Sequence, residues 1–114
     1  MTTYTVVFAP EAEDSLVSLH DYIAEHGSPR AAQRYTDAIV TYCESLAMFP
    51  HRGMRRDDVR PGLRITNYKR RAVIAFAVDD ATARVAILDV FYGGRDYEHA
   101  LGDDPDWNDP PAPA

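Results

Sequence analysis

The spacing of apolar residues changes period several times along the chain. Residues 4–8, Tyr-Thr-Val-Val-Phe, are β-branched and aromatic and predict a strand. Ala9-Pro10 ends it. Pro10 suits a helix's first turn, and Glu11, Glu13 and Asp14 favour the positive end of its dipole. Ala12, Leu16, Leu19 and Ile23 then share one helical face, and Gly27 is a natural cap, so a helix is predicted over 10–26. Ser28-Pro29 restarts the chain as N-cap and first turn. Ala31, Tyr35, Ala38, Ile39, Tyr42, Leu46 and Phe49 continue at helical spacing until Pro50. About two residues join the helices, which makes them an antiparallel hairpin whose apolar stripe must be buried elsewhere.

Residues 50–61 read as a basic loop with proline at each end. From Gly62 to Tyr68 the residues alternate, with Leu63 and Ile65 on one face of a strand and Arg64 and Thr66 on the other, polar face. Lys69-Arg70-Arg71 lies at or beside a turn. Residues 72–78 are nearly all apolar, as in a central strand covered on both faces. Asp79-Asp80-Ala81-Thr82 is a hairpin turn, and 84–92 is the last strand, ended by Gly93-Gly94. The order is β-α-α-β-β-β. It predicts an α+β fold in which the helix hairpin packs on a three- or four-stranded, mostly antiparallel sheet.

The length of 114 residues and mass of 12.8 kDa allow one hydrophobic core. The domain is expected over 1–101. Residues 102–114 hold four prolines and four aspartates around Trp107 and are expected to form an acidic, disordered tail. No apolar run is long enough to span a bilayer, and the start lacks the pattern of a signal peptide, so a cytoplasmic protein is expected. The one cysteine, Cys43, excludes an internal disulfide and any multi-cysteine metal site, and on the second helix it reads as buried core.

The net charge of −6 hides a strong asymmetry. Residues 50–71 hold eight bases and two acids, whereas 96–114 hold six acids and no base. The overall sign argues against a general nucleic-acid coat protein. The basic segment (Arg52, Arg55, Arg56, Arg60, Arg64, Lys69, Arg70, Arg71) is mostly arginine, the residue suited to bidentate phosphate or carboxylate contacts. With Arg95 it could converge on one end of the sheet, or it could pair internally with the acidic helices and tail. His20, His26, His51 and His99 show no metal-ligand spacing, and no cofactor is expected. Tyr68, Tyr92 and Tyr97 lie near the arginines in sequence. There they could pack, or serve RNA cleavage beside an arginine that stabilises phosphorane-like charge.

Several segments taken together resemble the RelE/ParE superfamily of toxins from type II toxin–antitoxin modules. They are residues 4–12 (Tyr-Thr-Val-Val-Phe-Ala-Pro-Glu-Ala), 21–24 (Asp-Tyr-Ile-Ala), 28–35 (Ser-Pro-Arg-Ala-Ala-Gln-Arg-Tyr) and 46–53 (Leu-Ala-Met-Phe-Pro-His-Arg-Gly). Residues 60–64 (Arg-Pro-Gly-Leu-Arg), 73–78 (Val-Ile-Ala-Phe-Ala-Val) and 90–96 (Val-Phe-Tyr-Gly-Gly-Arg-Asp) complete the set. The resemblance covers about 4–97. The long helix hairpin, the Phe-Pro-x-x-Gly after it and the Arg-Pro-Gly-Leu-Arg strand start look closer to the ParE branch.

That resemblance implies a toxin that causes growth arrest by inhibiting DNA gyrase, without chemistry of its own. It also implies a cognate, ParD-like antitoxin that neutralises the toxin in a hetero-oligomer and carries the DNA-binding function. Candidate antitoxin surfaces are the exposed side of the hairpin and the sheet edge. The target-binding residues expected are Arg64, Arg70, Arg71, Arg95 and Tyr97. The rival within the superfamily is a RelE-like, ribosome-dependent mRNA endonuclease using Arg64, Arg71, Arg95 and Tyr97. Against that branch's basic set, a second basic position on the Arg64 strand falls at Thr66, the next strand's falls near Val73, and the terminal tyrosine's falls near Leu101. Half of the nuclease set is thus missing. A third reading is a non-toxic relic that only binds antitoxins.

Overall fold

The computed structural model describes residues 3–69 and 72–92, in which a helix hairpin covers one face of a five-stranded sheet. β1 spans Thr5–Phe8. α1 follows over Pro10–His26 with Pro10 in its first turn, and the Gly27 N–H closes it on the Ile23 carbonyl at 2.8 Å. Ser28 Oγ accepts the Ala31 N–H at 3.0 Å and starts α2, Pro29–Glu44. The chain then tightens into a 3-10 turn at Ser45–Ala47. β2 (Met54–Arg55), β3 (Leu63–Tyr68), β4 (Ala72–Asp79) and β5 (Arg84–Tyr92) complete the fold. The sheet order is β1-β5-β4-β3-β2, with β1 parallel to β5 and the other neighbours antiparallel.

The main core joins Ala12, Leu19, Ile39, Cys43 and Leu46 of the helical layer to Ile74 and Phe76 of β4 and Val85, Ile87 and Val90 of β5. Cys43 is fully buried, as its place on the apolar stripe predicts, and burial pushes its thiol up to about 12. A smaller cluster of Leu63, Ile65, Ala75 and Phe91 forms apart from it, with Val59 of the β2–β3 loop packed against it. In β4, residues of the first cluster (72, 74, 76) alternate with those of the second (73, 75), so this central strand is apolar on both faces.

A bulge makes this double-sided packing possible in β5. Phe76 lies opposite Ile87 but Ala75 opposite Asp89, so β5 carries an extra residue at Leu88. Val85 and Ile87 before it, and Val90 and Tyr92 after it, all reach the main core. Asp89 accepts the Ser15 hydroxyl of α1 at 2.5 Å.

Two expectations change. The sheet has five strands rather than three or four, because residues 50–61 are not all loop. At Gly53, φ is +84°, and a Cβ there would collide with the Ile65 carbonyl oxygen. Only glycine lets the chain press that close to β3, and Met54 and Arg55 pair with Ile65 and Arg64 immediately after it. Phe49 is 59% exposed rather than on the helix stripe. α2 ends five residues before Phe49, and the tighter turn rotates that residue out of phase with the core. Gly93-Gly94 and the 102–114 tail lie outside the described residues.

Two substitutions test this account. Ile39→Ala should lower unfolding free energy by about 2–5 kcal/mol, a large part of a small domain's total. Gly53→Ala should destabilise the fold and raise hydrogen exchange at β2 and β3 before β4 and β5. Urea melts and amide exchange read both.

Candidate functional site

Of the residues singled out for target binding, Arg64 is described; Arg70, Arg71, Arg95 and Tyr97 lie outside the described residues. The β3 face that carries Arg64 and Thr66 is not an open polar face. It turns toward the helical layer, where Thr66 is buried and its hydroxyl is 2.9 Å from that of Tyr42 on α2. Arg64 sits at the margin of this layer, half-buried, and its Nη1 donates to the His51 carbonyl at 3.1 Å.

Around Arg64 the fold assembles three residues that sequence spacing does not connect. Asp80 Oδ1, in the β4–β5 turn, accepts hydrogen bonds from the Tyr4 hydroxyl at 2.7 Å and from His51 Nε2 at 2.9 Å. A carboxylate only accepts, so this contact places the imidazole proton on Nε2. The Tyr4 and His51 rings meet edge to face with centroids 6.1 Å apart. The Tyr4 hydrogen bond, with help from His51 and Arg64, holds the Asp80 carboxyl below its usual range, while the same bond raises the Tyr4 phenol. The cluster is solvent-facing, with His51 and Asp80 side chains about half or more exposed.

The basic segment is divided rather than gathered. Arg55 pairs with Asp57 at 3.0 Å and Arg56 with Asp58 at 2.9 Å, so the loop partly neutralises itself with its own acids. Asp57 also accepts the Gly62 N–H at 2.8 Å, and this bond holds its carboxyl low; Gly62 has φ +82°. Arg52 lies between two rings, 5.5 Å from the Tyr42 centroid and 5.2 Å from that of Phe49. Lys69 lies past the opposite end of β3 from Arg64, about 16 Å along the strand at a rise of roughly 3.3 Å per residue. There it lines a cavity of about 470 Å³ with Ile23, Ala31, Arg34, Tyr35, Ala38, Tyr68 and Tyr92. Of the two alternatives for the basic segment, convergence on one end of the sheet does not hold between Arg64 and Lys69, and internal pairing holds for Arg55 and Arg56.

The other histidines described are local. His20 Nδ1 is 3.7 Å from Asp21, and His26 stacks on Tyr22 at 4.2 Å. Among the described residues, no group of three His, Cys, Asp or Glu side chains could hold a metal ion.

The family described as the ParE toxin of type II toxin-antitoxin system, parDE, matches residues 6–97. Among solved structures, the chain is similar to the chromosomal ParDE toxin–antitoxin system from P. aeruginosa, with a TM-score of 0.68 and 20% identity over 79% of this chain and 96% of that one. It is also similar to the toxin–antitoxin complex RelBE2 from Mycobacterium tuberculosis, with a TM-score of 0.60 and 22% identity over 80% of this chain and 99% of that one. At these identities the two structures speak for the fold. No match is found among curated proteins.

The Tyr4–Asp80 bond should fail at both ends of the pH scale. A depressed carboxyl contributes stability above its unfolded value of about 3.9 and loses it as pH falls through the lower folded value. A raised phenol contributes below its unfolded value of about 10 and loses it as pH rises through the folded value. The stability gap between wild type and Tyr4→Phe should therefore be flat from about pH 5 to about pH 9 and shrink beyond both limits. Urea unfolding across that range measures it.

Proposed function

The chain belongs to the ParE toxin family of type II toxin–antitoxin systems, and we propose that it arrests growth by binding DNA gyrase, without chemistry of its own, until a cognate antitoxin covers it. The observation that carries the binding reading is Thr66. A nuclease of the superfamily would be expected to present a basic side chain at this position. Here the residue is buried, and its hydroxyl is bonded to Tyr42, so this part of the sheet offers no second cation beside Arg64. The overall charge of −6 and the internal pairing of Arg55 and Arg56 also weaken any broad attraction to RNA.

The target contact is assigned to Arg64, Arg70, Arg71, Arg95 and Tyr97. Arg64 spends one donor on the His51 carbonyl, and a guanidinium has five N–H groups, so it can be oriented by the loop and still reach a partner.

Antitoxin binding is supported by the outer side of the hairpin. Val17 and Tyr22 of α1 are 61% and 55% exposed. A shallow groove of about 260 Å³ runs between the helices, lined by Leu16, Val17 and Val40 with His20, Thr36 and Asp37. An amphipathic segment that orders on binding fits such a groove.

The test is induction of the chain without antitoxin, with DNA and protein synthesis pulse-labelled over the first minutes. DNA synthesis should stop first, and purified gyrase should lose supercoiling activity. Arg64→Ala, checked for folding by circular dichroism, should weaken that inhibition by about tenfold or more, the loss of one charge-assisted contact. Protein synthesis stopping first, with cuts in ribosome-bound mRNA, would replace this reading with the nuclease one.

A further inference from the structure

The cavity at the Lys69 end of the sheet has a chemistry of its own. Its wall is aromatic: the Tyr35 ring meets Tyr68 and Tyr92 edge to face, with centroids 6.1 Å and 5.8 Å apart. Ile23 adds an apolar patch, and Arg34 and Lys69 line the same space. Both cationic side chains belong to exposed residues, and Lys69 Nζ lies 5.6 Å from the Tyr68 ring centroid. Neither is ion-paired among the described residues, whereas Arg55 and Arg56 each have an aspartate. At about 470 Å³ the space is of the size that takes a ring-sized group. An apolar, ring-lined cavity with two cations that have no acid beside them among the described residues suits a ligand that carries an aromatic ring next to negative charge.

The chain itself contains such a ligand. Residues 103–109 read Asp-Asp-Pro-Asp-Trp-Asn-Asp, with four aspartates around the one tryptophan of the protein. These residues lie outside the described ones. Tyr92, the last described residue, is itself part of the cavity wall, so the chain leaves the described fold at this site. Trp107 follows fifteen positions later, and the linking chain spans at most about 50 Å at roughly 3.3 Å per residue, ample to return.

We propose that Trp107 docks its indole among Tyr35, Tyr68 and Tyr92, with the flanking aspartates against Arg34 and Lys69. The indole gains edge-to-face contact with rings whose spacing already favours it. The ion pairs are exposed and each contributes little, but reversing both cations sets like charge against four aspartates and so opposes docking. The tether supplies the rest. A covalent tether of this length gives an effective concentration of about the millimolar range, so a site too weak for a free peptide is still occupied from within the chain. The docked tail covers the two cations and leaves Arg64, at the other end of β3, open. This contact does not depend on gyrase or on toxicity.

The single tryptophan makes the intact chain its own reporter. In the full-length protein, Trp107 emission should lie to the blue of free N-acetyltryptophanamide, and acrylamide should quench it severalfold less well. The double variant Arg34→Glu/Lys69→Glu, both exposed positions, should shift emission to the red and raise quenching toward the free value with an unchanged circular dichroism spectrum. Arg60→Glu, an exposed charge elsewhere, should change neither. Quenching in the wild type equal to that of the free compound would overturn the proposal. So would protection that survives the double reversal, which would place the indole on another surface or on a second copy.

Discussion

β5 has to serve two layers at once. It takes β1 in parallel on one side and β4 antiparallel on the other, and it lies under α1. Its first half gives the main core Val85 and Ile87 at a spacing of two, and its second half gives Val90 and Tyr92. An unbroken strand cannot do both, because the step from Ile87 to Val90 is odd and strict alternation would turn the second pair away from the helices. The extra residue opposite the Ala75–Phe76 step corrects the phase. It also turns Phe91 to the second cluster, on the side where Leu88 already lies. The bulge thereby sets the face on which Tyr92 lies, beside Tyr35 as a wall of the aromatic cavity.

The same sheet sorts the charge. β3 separates Arg64 from Lys69 by the length of a strand, and each end acquires a different setting. At one end, Arg64 meets a hydrogen-bonded group of Tyr4, His51 and Asp80 drawn from three parts of the chain. At the other, Lys69 and Arg34 stand beside rings without acids of their own among the described residues. At the Arg64 end, Arg55 and Arg56 are each paired with an aspartate two residues away in sequence. Exposed pairs of this kind contribute little to stability. Their effect is on the field, since they locally neutralise two of the eight bases in 50–71.

The sequence makes local features legible and leaves distant ones hidden. Both helices, their caps at Gly27 and Ser28, and the three long strands follow from period and punctuation that act over a few residues. The parallel union of β1 with β5 does not, because Thr5 and Arg84 are joined by the path of the whole chain. That union sets Tyr4 beside the β4–β5 turn, so the Tyr4–His51–Asp80 cluster was hidden for the same reason. β2 is two residues long and has no period to read; its cause is the glycine before it. The setting of the polar face with Arg64 and Thr66 was hidden on a related point. Alternation along one strand separates its two faces but does not say which face the helices cover, and here they cover the one with Thr66.

Fold class and site chemistry therefore rest on different parts of the chain. The apolar positions that place a hairpin on a sheet are shared by proteins of about one-fifth identity, so they specify the architecture and little about the target. What distinguishes this chain, among the described residues, is where its cations lie. A surface that binds RNA through its backbone gains affinity with each phosphate neutralised and needs many free cations on one face. This sheet separates Arg64 from Lys69 and pairs Arg55 and Arg56 with acids of their own loop, which lowers the yield of any such contact. A protein target asks for the reverse: a small number of oriented arginines in a surface that is otherwise neutral or acidic, where one fixed guanidinium can recognise one carboxylate. Arg64 is oriented in this way by the His51 carbonyl at the margin of the core.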